Sequence, residues 1–164
     1  MIFIGIGANL PSERFGPPRA TCEAALVAIE ERGITVAQRS RWFRSAPVPA
    51  SDQPWYVNGV ARVETLLDPQ ALLGVLHDIE ARFGRLRAER NAPRILDLDL
   101  LAYGERVMDG KDGLVLPHPR MHRRAFVLFP LADIAAGWRH PVLQRGIQDF
   151  LAEIPANQDI EPMK

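Results

Sequence analysis

The sequence has one cysteine, two lysines and no net charge, and each shortage closes off a class of function. A lone Cys22 cannot form a disulfide within the chain, so a scaffold stapled by disulfides is excluded. Its expected role is a small core filler in a reducing compartment. With 20 basic residues against 20 acidic ones, no overall positive field exists to hold nucleic acid. No apolar run approaches the roughly 18 residues of a membrane span. Met1-Ile2-Phe3-Ile4-Gly5 lacks a basic start and a cleavage pattern, so no signal peptide, no membrane and a cytoplasmic location are expected. Lys111 and Lys164 are the only lysines, and neither ends a Gly-x-x-x-x-Gly-Lys loop. Gly5 and Gly7 are followed by Leu10, where a dinucleotide fingerprint needs glycine. Any nucleotide is therefore held by other means. Repeats, low-complexity stretches and linkers are missing too. The 164 residues read as one domain, residues 1–164, with a full core.

What is present is acid and arginine. Residues 94–101 read Arg-Ile-Leu-Asp-Leu-Asp-Leu-Leu, with the period-two alternation of a strand. Side chains two apart share a face, so Asp97 and Asp99 point one way and Leu96, Leu98 and Leu100 the other. Their Cβ atoms would lie roughly 6.5–7 Å apart from the strand rise. That width suits two divalent cations in a phosphoryl- or nucleotidyl-transfer site, although a solvated strand face would show the same pattern. Arg85, Arg87 and Arg90 lie in the polar loop 85–93 leading into this strand, and Arg94 follows it. They either neutralise the acids or stabilise a polyphosphate held by metal there, and the loop has the position of a lid.

The coarse order is strand, helix, strand, strand, helix, strand, then additions. A strand over residues 1–8 precedes a helix that starts at Pro17-Pro18 and stops at Gly33. Residues 34–43 read as one strand and residues 45–53 as a proline-rich loop. Residues 56–66 alternate as a strand. Asp68 and Pro69 mark the cap and first position of a helix burying Leu72, Leu73, Leu76, Ile79 and Phe83 and ending at Gly84. Residues 114–116 suggest a short strand. Residues 124–135 have a helical apolar pattern interrupted by Pro130, and the tail from Gln144 forms a short helix and then frays. Hairpin-connected and crossover strands mix, which predicts an α+β sandwich with a mostly antiparallel sheet and flanking helices.

Other residues qualify as ligands. Glu80 sits at the margin of an apolar helix stripe, where a carboxylate either reaches solvent or enters a site. Tyr56 and Asn58 share one strand face. Asn58 has the donors and acceptor for the edge of a planar heterocycle, and Tyr56 and Phe126 could stack on its faces; an aromatic core with a satisfied amide is the plainer alternative. His118 and His122 are four apart, yet Pro119 between them and the lack of further ligands disfavour zinc. A phosphate contact suits His118 better.

Taken in order, several motifs are similar to those of one family: Gly7-x-Asn9-Leu10, Arg44-Ser45-Ala46-Pro47, Asp52-Gln53-Pro54-x-Tyr56-x-Asn58, Ile79-Glu80 with Gly84-Arg85-x-Arg87, Pro93-Arg94-x-Leu96-Asp97-Leu98-Asp99, and Pro117-His118-Pro119-Arg120 through Arg124-x-Phe126. The chain resembles 6-hydroxymethyl-7,8-dihydropterin pyrophosphokinase of folate synthesis over residues 2–135. The resemblance implies a ferredoxin-like α+β fold and a magnesium-dependent transfer of pyrophosphate from ATP to the pterin hydroxymethyl group, releasing AMP. It further implies that Asp97 and Asp99 bind both magnesium ions. Ser45, Ala46, Val48, Tyr56, Asn58 and Phe126 would line the pterin pocket. Glu80, Arg87, Leu100, His118 and Arg124 would meet ATP, and Arg85 and Arg94 would act with the two aspartates in catalysis. The substrates would be the two small molecules alone, the expected state a monomer. The chain departs from the family pattern at Ala8 and Pro11, at Asn91-Ala92 in a shortened loop, and at Gly113 and Val115.

Two other readings stand beside it. A non-catalytic RNA-binding module could share the element order but needs exposed sheet aromatics and a basic face, against which the neutral charge and the acidic strand argue. A different two-metal nucleotidyl transferase would share the acidic strand.

Overall fold

The computed structural model describes residues 1–84 and 95–164. Strand β1 (Ile2–Ala8) leads to helix α1 (Pro18–Glu31), then to β2 (Thr35–Arg39), β3 (Phe43–Ser45) and β4 (Tyr56–Glu64). Helix α2 (Pro69–Arg82) precedes β5 (Asp97–Tyr103), and two short strands, β6 (Met108–Asp109) and β7 (Val115–Leu116), form a separate hairpin. A 3-10 turn at Met121–Arg123, α3 (Ala125–Ala135), α4 (Ile147–Ala152) and β8 (Ile160–Pro162) complete the chain.

The main sheet runs β5-β1-β4-β3-β8, with β2 also pairing β4, and its ladders are antiparallel. Strand, helix, strand, strand, helix, strand with the first strand central is the ferredoxin-like order, and the α+β sandwich expected from the sequence is what forms. Both faces are covered. Ile4, Ile6, Leu98 and Leu100 meet Leu26, Ile29, Leu72, Leu76 and Ile79 from α1 and α2. Phe3, Val60 and Leu101 meet Leu128 and Leu131 of α3 and Phe150 of α4.

Local chemistry sets the boundaries. Asp68 accepts from the Ala71 N–H at 2.8 Å, capping α2 ahead of Pro69. Gly33 and Gly84 follow the two long helices with φ of 80° and 87°, the left-handed conformation that ends a helix. Helix α3 runs on through Pro130, which is buried. Proline removes only one helical bond, to the carbonyl of Phe126, and the apolar burial on both sides outweighs that loss.

Two elements differ from expectation. The strand expected over residues 34–43 is divided, because Ser40 is used as a corner. Its N–H donates to the Val60 carbonyl at 2.9 Å, its hydroxyl accepts from the Val60 N–H at 2.9 Å and donates to the Arg41 carbonyl at 2.7 Å. Trp42 then turns inward and donates its indole N–H to Glu23 at 2.7 Å. The tail does not simply fray: β8 pairs with β3, in the register Ser45 to Ile160 and Arg44 to Glu161.

Candidate active site

The alternation of β1 opens the site. Ile4, Ile6 and Ala8 face the helical core, while Gly5 and Gly7 face the other way, opposite Asp99 and Asp97 on β5. Gly7 also lies opposite Asn58 on β4. Two missing side chains on the central strand leave a cavity of about 190 Å³ between the acids and the amide, walled by β1, β4, β5 and α3. A Cβ on Gly7 would stand 2.9 Å from the Asn58 Oδ1, too close for any real contact.

Asn58 is 5% exposed and Ser45 is 3% exposed, so their polar atoms need partners within the protein. Asn58 donates to the Ser45 hydroxyl at 2.5 Å. The Gln53 side-chain oxygen accepts from Asn9 at 3.1 Å and from the Tyr56 hydroxyl at 3.3 Å, while Asn9 also donates to the Pro54 carbonyl at 3.2 Å. This network fastens the loop between β3 and β4 to the end of β1. Tyr56 and Val48 line the cavity from that loop side, and Phe126 lines it from α3. The Arg124 guanidinium stands 5.2 Å from the Phe126 ring centre.

His118 is held by a bulge. The β1–β5 register runs from Phe3–Ala102 to Ile4–Leu100 and skips Leu101. The Leu101 carbonyl accepts from the His118 N–H at 2.8 Å, laying residues 117–119 along the sheet edge. The His118 Nδ1 accepts from the Arg120 N–H at 3.2 Å, which puts the ring proton on Nε2. Burial pushes its pKa from 6.5 down to about 4, Arg124 pushes the same way, and Asp97 opposes them. His118 is therefore a neutral donor at physiological pH.

Of the residues expected at the site, Ser45, Ala46, Val48, Tyr56, Asn58, Asp97, Asp99, His118, Arg124 and Phe126 line one cavity. Two do not. Leu100 packs in the helical core on the opposite sheet face. Glu80, 2% exposed, accepts from the Leu98 N–H at 2.9 Å and so ties α2 to β5 between the two aspartates. Arg85, Arg87 and Arg94, with the expected lid over residues 85–93 and Asn91 within it, lie outside the described residues. His122 is turned away from the site, its ring 5.6 Å from that of His140. Sequence reasoning gave no role to Gln53 or Arg120, which also line the cavity. Their motif positions were the only signal, since loop residues carry no periodicity.

Asp97 and Asp99 offer hard carboxylate oxygens on one strand face. Among the described residues no cluster of three or more His, Cys, Asp or Glu could cage an ion unaided. That donor set fits magnesium, which takes one or two carboxylates and completes its shell with water and substrate phosphates.

Residues 3–136 match the model of the family described as 7,8-dihydro-6-hydroxymethylpterin-pyrophosphokinase (HPPK). The chain belongs to this family. A 2-amino-4-hydroxy-6-hydroxymethyldihydropteridine pyrophosphokinase from Synechocystis is 43% identical over 92% of this chain and 74% of its own length. Its counterpart from Pseudomonas aeruginosa is 41% identical over 94% of this chain and 91% of its own. The Pneumocystis carinii folic acid synthesis protein fol1 is 35% identical, but the chain spans only 21% of it. Among solved structures, Plasmodium falciparum HPPK-DHPS is similar with a TM-score of 0.66 at 13% identity, over 93% of this chain and 43% of that one. A second HPPK-DHPS, in complex with substrates, gives 0.69 at 12% identity, over 93% and 44%. At such identities these two speak for the fold alone, and they have the HPPK domain's ferredoxin-like sandwich.

Proposed function

We propose that the glycine-floored cavity is where this chain brings the pterin and the ATP phosphates together. The activity is that of the family: pyrophosphate moves from ATP to the hydroxymethyl group of 6-hydroxymethyl-7,8-dihydropterin in folate synthesis. The observation that carries the assignment is one cavity with two carboxylates on one wall and a buried, hydrogen-bonded amide on the other.

The pterin would lie on the Asn58 side. Ser45 uses one amide proton of Asn58 and fixes its plane, leaving the other proton and the oxygen for the ring edge. Tyr56 and Phe126 supply aromatic faces. Ser45, Ala46 and Val48 close that end. ATP would lie on the acidic side, with its triphosphate before Asp97 and Asp99. Those two residues would hold two magnesium ions, which, when bound, neutralise phosphate charge and act as Lewis acids. His118 would donate its Nε2 proton to a phosphate oxygen, and Arg124 would offset developing charge. Glu80 would act by fixing the Leu98 peptide between the aspartates, and Leu100 by packing behind them. Arg85 and Arg94 would stabilise the transition state with the aspartates, and Arg87 would meet ATP. In the reaction the pterin hydroxyl oxygen bonds to the β-phosphorus, the bond from that phosphorus to the AMP-side oxygen breaks, and the hydroxyl proton leaves to solvent. We take the working unit to be a monomer of one domain, residues 1–164, whose own helices cover both sheet faces, and place it in the cytoplasm on the sequence reading alone.

The test is incubation with ATP, magnesium and the hydroxymethyl pterin, followed by phosphorus NMR. AMP and a pterin diphosphate are the expected products. ADP with a pterin monophosphate, or no turnover, would overturn the assignment.

A further inference from the structure

We propose that Gln158, beyond the residues matched by the family model, is a positioning residue that holds the two walls of the pterin pocket at a fixed separation. This rests on the reading that the pterin lies between the β3–β4 loop and Phe126.

The observation is one side-chain amide used at both ends. Gln158 accepts from the Ala125 N–H at 2.9 Å and donates to the Arg123 carbonyl at 3.0 Å. Those two groups bracket Arg124, so the amide clamps its backbone on both sides. Ala125 is the first residue of α3, and its N–H is one of the donors that a helix start leaves over. Arg124, at the cap position, makes no side-chain cap, because a guanidinium cannot accept a hydrogen bond. Gln158 supplies the missing cap from 33 residues further on. It thereby sets the angle at which α3 presents Arg124 and Phe126 to the cavity.

The next residue completes the link. The Asp159 carbonyl accepts from the Ala46 N–H at 3.0 Å, directly beyond β3. From there β8 continues the pairing, with Ile160 opposite Ser45. The dipeptide 158–159 therefore joins α3, on one side of the cavity, to Ser45-Ala46 on the other. The amide gives from its nitrogen and accepts at its oxygen, one bond on each side of Arg124. Leucine keeps the bulk and loses both bonds; glutamate keeps the acceptor and loses the donor.

The nucleotide end should feel this less. Asp97, Asp99 and His118 hang on β5 and its edge, and among the described residues Arg124 is the nucleotide contact that Gln158 braces.

The test is calorimetry of Gln158→Leu with the pterin in the presence of a non-hydrolysable ATP analogue, and with the analogue alone. Stoichiometry reads the folded fraction, and amide exchange of Ala125 is followed by NMR. Pterin Kd is expected to rise about five-fold, nucleotide Kd less than about two-fold, and the Ala125 amide to exchange faster. An unchanged pterin Kd, or equal loss for both ligands, would overturn the proposal. If the leucine variant does not fold, Gln158→Glu carries the test: a rise of at least about two-fold in pterin Kd supports the proposal, and wild-type affinity overturns it. Asn58→Ala is run in parallel. If it weakens pterin binding while Gln158→Leu does not, the positioning role alone fails; if it has no effect, the pocket assignment itself fails.

Discussion

Asn58 shows how much of the site depends on single polar atoms. It is buried, bonded to Ser45, and faces the cavity across Gly7. Removing it leaves the Ser45 hydroxyl and the ligand's ring edge without a partner, a loss of about 1–3 kcal/mol. Asn58→Ala should therefore weaken pterin binding roughly ten- to a hundred-fold and nucleotide binding far less, as measured by calorimetry on each ligand. Equal losses would point to a structural role instead. His118 makes a second prediction. In the ligand-free protein its pKa lies near 4 against 6.5 when unfolded. The unfolded chain thus takes up a proton that the native chain refuses between those values. Stability from this group is fully present above pH 6.5 and falls as pH drops toward 4, by up to roughly 3 kcal/mol. His122 and His140 are pushed in the same direction, each chiefly by burial. An NMR titration of His118 should have its midpoint near 4, and a midpoint at or above 6.5 would contradict the account. The acids, Asn58 and Tyr56 were legible beforehand because period-two alternation assigns strand residues to faces. The destination of Glu80 was not, since a carboxylate at a stripe margin can go either way, and a peptide N–H eighteen residues on decided it.

Two glycines on neighbouring strands should answer substitution differently because their elements face different surroundings. A Cβ on Gly7 meets the Asn58 side chain, whereas a Cβ on Gly59 meets the Trp42 ring at 2.6 Å in the helical core. Gly59→Ala should overpack that core and cost about 1–3 kcal/mol in urea unfolding. Gly7→Ala should cost less stability but displace Asn58 and weaken pterin binding. If both variants lose only stability, the glycine floor has no part in binding. At the start of α2, Asp68→Ala should cost about 1 kcal/mol through the lost cap, and no change in the unfolding midpoint would remove Asp68 from that role. Element order and helix ends could be read from the sequence because caps, prolines and terminal glycines are local signals. The division at Ser40 and the pairing of β8 could not. Both depend on partners far along the chain: Val60 for the corner, and Phe43 to Ser45 for the tail.

At the scale of the molecule, a central strand that is apolar on one side and bare at Gly5 and Gly7 on the other lets a two-faced sheet carry a cavity without losing its core. The helices α1 and α2 fasten the back of the sheet, with α2 against β5, and α3 with the tail closes the front. Residues 85–94, between α2 and β5, carry the arginines expected to meet the phosphates. Asp97 and Asp99 together are proposed to hold the magnesium-bound phosphates of ATP. The decisive measurement is AMP release from Asp97→Ala and Asp99→Ala at saturating substrates and magnesium, with thermal unfolding run alongside. Each variant should lose at least about a hundredfold in turnover. Its melting temperature should be unchanged or higher, because one of two like charges on a strand face has gone. Substantial AMP release from either folded variant would contradict it.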